Sequence, residues 1–174
     1  DISKISENKK HKLLRAAFPI LEKEETIKMW QAFYIDEHIV KHFYSSLGSN
    51  LSFDFQKAGI SLNMSFSEKG KNLSEQFSKG SNYFSKLKLA GLKKHIEKCK
   101  YFMRNAKPVK SGNYQIILSP LAAGVFAHES FGHKSEADFM IGDEKMKKEW
   151  TLGKKVGSSC LSIVDSGNLL GIGY

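Results

Sequence analysis

The feature that most constrains this chain is an alternation. Ile60, Leu62, Met64 and Phe66 take turns with Ser61, Asn63, Ser65 and Ser67, and Leu51, Phe53 and Phe55 take turns with Ser52, Asp54 and Gln56. Side chains on an extended strand point to opposite faces with a period of two, so each run reads as a half-buried strand with one apolar face. Lys57-Ala58-Gly59 and Glu68-Lys69-Gly70 supply turns, and VKHFYSSL just before is a further strand candidate. An antiparallel meander of three or four strands follows.

Such a sheet needs a cover on its apolar face. A helix is available after Gly80, where Leu92, Ile96, Cys99 and Met103 form a stripe with Lys93, Lys94, Glu97 and Lys98 on the other side, ending before Pro108. The first 38 residues are expected to be a helical hairpin or a kinked pair. LLRAAF is interrupted by Pro19, and Ile27, Trp30 and Tyr34 recur at helical spacing behind an acidic EKEET start. The fold class predicted is α+β, an antiparallel meander covered by helices, with residues 1–106 as its N-terminal region.

Residues 107–174 read differently. After the polar KPVKSG linker, YQIILSP suggests a short strand, and SPLAAGVFAHESFGH suggests a helix with Ser119 as N-cap and Pro120 at its first position. Residues 141–155 are polar and glycine-containing, expected as loop, and CLSIVDSG suggests a strand entering a turn, the start of a C-terminal β domain. The chain opens on Asp1 rather than methionine and closes on GIGY, so cuts through a longer protein are expected at both ends.

Composition limits the function classes. At 174 residues and 41% hydrophobic content the chain can build a core. The longest stretch without a charged side chain, residues 111–127, is interrupted by Pro120, and no secretory leader pattern precedes it, so a cytoplasmic protein with no membrane span is expected. The formal net charge of +9 comes from dispersed lysines with no arginine cluster among aromatics, which argues for a solvated surface and against nucleic acid. Cys99 and Cys160 lie far apart in no metal-binding or disulfide pattern, and Cys99 is expected to be buried.

One short stretch carries candidate chemistry. In AHESFGH, Glu129 directly follows His128, and His133 stands five residues beyond His128. Two neutral imidazoles can bind a catalytic zinc, and an adjacent carboxylate can take a proton from water. Five steps at roughly 100° per residue leave the second imidazole about 140° around an ideal helix from the first, too far for one ion. The spacing therefore predicts a helix that loosens between Ser130 and His133, with Gly132 tolerating a π-type turn. Glu136 could then hydrogen-bond the His133 ring and fix its tautomer, with Asp138 as a second candidate. On spacing alone, a solvated helix end fits these residues better than a metal site does.

The longer run AAGVFAHESFGHKSEAD resembles the H-E-x-x-x-H segment of the TldD/PmbA metallopeptidases, also called modulators of DNA gyrase. KPVKSGNYQIILSPLAAGV is similar to the lead-in to that motif and GSSCLSIVDSG to the strand and turn after it, so the resemblance covers residues 107–167. It implies a zinc held by His128 and His133, Glu129 as base, and a third ligand, a cysteine, far downstream of this segment. Cys160 aligns with the strand after the motif and is not assigned to metal. The resemblance further implies hydrolysis of short or unfolded peptides by a homodimer, or by a heterodimer with a sibling lacking the motif. Lys134, where a small or apolar residue is usual, and NLLGIGY depart from the pattern.

His38 and His42 also stand four apart, but on a strand they would sit near 13 Å apart along the chain, so they are read as surface histidines. His11 and His95 lie among lysines and are expected to be solvated. The competing function is a non-catalytic basic module that binds an acidic partner or nucleic acid.

Overall fold

A computed structural model describes residues 2–165. The protein is α+β, and among the described residues one compact unit runs to Val109 while a second begins at Lys110.

The first unit is a three-stranded antiparallel sheet in the order β1 (Ile27–Tyr44), β2 (Asn50–Glu68), β3 (Lys71–Ser81). Helices α1 (Glu7–Arg15), α2 (Phe18–Glu22) and α3 (Leu92–Asn105) complete it. The alternation in β2 does what its period dictates: Ala58, Ile60, Leu62, Met64 and Phe66 are all buried. Leu62, Met64 and Phe66 meet Ala17 at the N-cap of α2, Leu21 within it, and the whole predicted stripe of α3, Leu92, Ile96, Cys99 and Met103, while Ala58 packs with Ile2 and Leu87. Each such side chain contributes roughly 1.5–3 kcal/mol by leaving water. Burial also pushes the Cys99 thiol above its ordinary range, which keeps it neutral and unreactive.

Two elements of this unit differ from the sequence expectation, each for its own reason. Ile27, Trp30 and Tyr34 belong to a strand, not a helix. Four is an even number and also close to one helical turn, so Trp30 and Tyr34 share a face under either geometry. The odd step from Ile27 to Trp30 is absorbed by a register shift, a β-bulge, between Ile27 and Met29, after which Trp30 pairs with Met64. Trp30 then packs on Phe18 of α2, ring centroids 4.8 Å apart. Pro19 lies in the first turn of α2 and opens that helix.

The second correction concerns Lys57-Ala58-Gly59, which is not a turn: β2 runs straight through it, and the two alternating segments are one strand. The apolar residues are at odd positions before it and at even positions after it, so the strand's hydrophobic side changes face there. The turn expected at Glu68-Lys69-Gly70 does form. Lys69 and Gly70 take φ of 49° and 76°, the left-handed pair of a two-residue hairpin, and lead into β3, which carries too few alternating apolar residues to stand out in the sequence. His95 departs from the solvated reading, because its ring packs edge-on against Phe77 and its Nε2 is buried without a partner among the described residues.

In the second unit the described residues hold no strand. Residues 113–119 form no strand, with Ile116 and Ile117 exposed, since no neighbouring described strand offers a ladder of hydrogen bonds. Residues 161–165 of the second expected strand are likewise unpaired, and Ser166 and Gly167 lie outside the described residues. The segment expected as loop contains α6 (Glu144–Glu149), whose N-cap Asp143 accepts from the Met146 N–H at 2.9 Å. Helix α4 (Pro120–Ala127) and α5 (Ala137–Met140) flank the histidine motif.

Candidate metal centre

Helix α4 begins as its sequence specifies. Pro120 occupies the first turn, and the Ser119 hydroxyl oxygen accepts from the Ala122 N–H at 3.3 Å. The helix then widens, and residues His128–Gly132 form a π-helical turn in which the His133 N–H bonds back to the His128 carbonyl. An i→i+5 turn brings residues five apart onto one side, the remedy the spacing requires. The imidazole centroids of His128 and His133 are 4.4 Å apart.

Hydroxyl groups support the widened turn. Ser130 Oγ donates to the Phe126 carbonyl at 2.6 Å, and Ser135 Oγ donates to the Phe131 carbonyl at 2.9 Å. Trp150 Nε1 in turn donates to Ser135 Oγ at 2.9 Å, while its ring lies 5.3 Å from that of Phe131. Sequence reading passed over Ser130, Ser135 and Trp150. The two serines four residues after their carbonyl partners were a usable signal, whereas Trp150 was not, because its contact depends on how the chain returns after α5.

Gly132 has ordinary helical angles, φ −55° and ψ −59°. A Cβ there would meet the His128 ring no closer than 3.6 Å, so the turn does not depend on glycine's conformational freedom.

The π turn gathers the predicted donors. One ligand atom each from His128, Glu129 and His133 lie within 4.8 Å of one another, the sole such group of three among the described residues. The Glu129 carboxylate stands 3.7 Å from His133 Nε2. The other ring nitrogen, Nδ1, is held by Glu136 Oε1 at 2.6 Å. A carboxylate on Nδ1 accepts its proton, which leaves the Nε2 lone pair directed toward His128 and Glu129. Asp138 does not share this contact; its carboxylate accepts from the Phe139 N–H at 3.1 Å. His128 and Glu129 are exposed and His133 half-buried, so water reaches the cluster freely. Beside it lies a pocket of about 500 Å³ lined by Phe126, Ser130, Lys134, Trp150 and Lys154.

The remaining candidates lie apart from this cluster. His38 and His42 share a face of β1, and His38 Nε2 lies 2.7 Å from Asp54 Oδ1. Cys160 is exposed and unpaired, and it belongs to no metal-binding group among the described residues. No described helix is long and apolar enough to cross a membrane.

Comparison with known proteins places the motif in a context. Residues 111–174 match the family described as PmbA/TldA metallopeptidase C-terminal domain. Over 150 residues the chain is 31% identical to a metalloprotease of Methanocaldococcus jannaschii, covering 85% of this chain and 33% of that protein. It is 28% identical over 172 residues to a zinc metalloprotease TldD homolog of Saccharolobus solfataricus, covering 95% of this chain and 37% of the relative. A shorter match, 37% over 68 residues, is to a metalloprotease of Methanothermobacter thermautotrophicus, covering 39% of this chain and 15% of that protein. The chain thus spans about a third of the length of the two relatives it matches most fully. No solved structure matches it significantly.

Proposed function

Since the chain belongs to the TldD/PmbA family of metallopeptidases, we propose that residues 119–136 supply two ligands and the general base of a zinc peptidase site. The observation that carries this reading is the π turn, which puts donors from His128, Glu129 and His133 within 4.8 Å of one another while Glu136 orients His133.

The donor set fits zinc: two imidazoles with free lone pairs and a carboxylate alongside. His128 and His133 would hold the ion, which when bound acidifies water and polarises a carbonyl. Glu129 takes a proton from the attacking water at a carboxylate oxygen and delivers it to the leaving amine nitrogen. Glu136 keeps the proton of His133 on Nδ1 throughout, so the ring faces the site in one tautomer. Two protein ligands bind zinc weakly. The reading therefore includes a third, a cysteine as the resemblance implies, outside the described residues.

The substrates proposed are short or unfolded peptides, whose backbone can reach an exposed cluster. The neighbouring pocket, apolar at Phe126 and Trp150 and cationic at Lys134 and Lys154, suits a peptide side chain or carboxylate. The same reading makes the protein a cytoplasmic dimer, of two copies or with a sibling. Its two unpaired cysteines agree with a reducing compartment.

Zinc content, measured on this chain and on a longer form containing a downstream cysteine, tests the site. Zinc retained by the longer form and lost in both His128→Ala and His133→Ala is the expected result; zinc unaffected by either change overturns it. Glu129→Gln should keep the metal and abolish peptide hydrolysis, and surviving activity would remove Glu129 from its role.

A second reading rests on charge. Residues 2–109 carry 20 Lys and Arg against 10 Asp and Glu, while residues 110–165 carry 7 of each. A basic module that binds an acidic partner would account for that imbalance, and absence of zinc in every form would leave it in front.

A further inference from the structure

The π turn is held by more than its own residues. After α5 the chain reverses at Gly142, where φ is 84°. Asp143 then caps α6, and at the far end of that helix the Trp150 N–H bonds to the Met146 carbonyl at 2.9 Å. This anchored backbone carries the indole back to the motif. Its ring centroid stands 5.3 Å from that of Phe131, and both residues are half-buried in a unit where none of the described residues is buried.

Tryptophan supplies something here that another aromatic ring cannot. An indole N–H donates and never accepts, so where Trp150 Nε1 meets Ser135 Oγ at 2.9 Å the hydroxyl oxygen is the acceptor. The single hydroxyl proton is then left for the Phe131 carbonyl, also at 2.9 Å. That carbonyl lies inside the π turn, and a π pattern would give it the N–H five residues on, that of Glu136. The Glu136 N–H bonds instead to the His133 carbonyl at 3.3 Å, while its carboxylate reaches His133 Nδ1 at 2.6 Å. The Ser135 hydroxyl thus answers a carbonyl that Glu136 gives up as it turns to the His133 ring.

We propose that Trp150 is a positioning residue for the candidate metal centre: by fixing the Ser135 hydroxyl it closes the π turn and sets the spacing of His128 and His133. The bond that shapes the turn is short-range, whereas the group that fixes its direction comes from 15 residues further along the chain. Hydrogen bonds in series polarise one another, so the indole strengthens the hydroxyl as a donor. Phe131 is constrained twice, because its ring packs on the indole and its carbonyl receives the hydroxyl. Displacing Trp150 releases both ends of that residue, which stands between Glu129 and His133.

The inference rests on the proposed function only for its zinc readout, and two measurements need no metal. The chain has two tryptophans, so a nitrogen–proton correlation spectrum of the metal-free chain shows two indole signals. Ser135→Ala should shift that of Trp150, which loses its acceptor, and leave that of Trp30 in place. In Trp150→Phe, which keeps an aromatic ring beside Phe131, the His133 amide should exchange roughly three- to tenfold faster, the equivalent of one net hydrogen bond. An unmoved Trp150 signal or unchanged exchange at His133 overturns the proposal.

Zinc affinity of the longer form with its downstream cysteine, measured by competition with a chelator, reads the effect on the site. Trp150→Phe and Ser135→Ala should each weaken binding about tenfold, and the double variant no further, because both remove the same relay. Ser135→Thr retains the hydroxyl and should keep the affinity, and Leu152→Ala, at a fully exposed position, should change nothing. Losses that add, or full affinity in Trp150→Phe, overturn the proposal. A longer form that binds no zinc removes the proposed function, and the metal-free measurements still decide whether Trp150 holds the turn.

Discussion

The sheet-and-helix unit and the motif unit are built on different principles. In the first, Leu62, Met64 and Phe66 from one strand meet Leu92, Ile96 and Met103 from a distant helix, and all are buried. In the second, none of the described residues is buried, and Ile117, Leu121 and Leu152 are among those left exposed. Its site geometry is therefore local, made by an N-cap, a π turn and serine hydroxyls bonded one turn back. Long-range packing defines the shape of the first unit, whereas short-range hydrogen bonding sets the relative positions of His128, Glu129 and His133.

Substitutions should separate these principles cleanly. The largest effect is expected for Phe66→Ala, which opens a cavity beneath α3 and should cost about 3–5 kcal/mol of the first unit's stability. Phe126→Ala, equally large but exposed, should change stability by less than about 0.5 kcal/mol. Urea unfolding of both variants measures the contrast, and equal losses would mean that the motif unit has a core of its own.

Next comes Ser119→Ala, which removes the cap of α4 and should cost that helix about 1 kcal/mol. Amide exchange in residues 120–133 should quicken while exchange in β2 stays unchanged.

The smallest effect is on acidification. Burial would raise the Glu24 carboxyl, but hydrogen bonds from Lys100 and Thr26 outweigh it and hold the group below its ordinary range. Asp36 behaves alike: burial raises it, and Lys10 and the Tyr34 hydroxyl bring it lower still. A carboxyl depressed in the folded state stabilises fully above its unfolded value near pH 4, and that contribution fades as pH falls through the folded value. The first unit should thus hold constant stability from about pH 8 to 5 and lose it below about 4, each group contributing under about 1 kcal/mol. Glu24→Gln should flatten part of that slope in acid titrations followed by circular dichroism.

Much of this protein was legible as pattern. The stripe on α3, the cap at Ser119 and Pro120, the loosened helix before His133 and the Glu136 contact to its ring all follow from spacing. These are local matters, fixed by bond geometry within one or two turns. Where two periods coincide, the sequence was ambiguous: residues four apart share a face in a helix and in a strand, so the identity of β1 depended on its pairing with β2. Pairing also joined the two alternating segments into one strand through Lys57-Ala58-Gly59, and left YQIILSP unpaired despite its strand-like composition. A strand exists only where another backbone accepts its hydrogen bonds, and that partner is chosen by the tertiary structure. The sequence by itself determined which residues could bind a metal; tertiary packing decided which segments became sheet, because a strand needs a partner that its own residues do not specify.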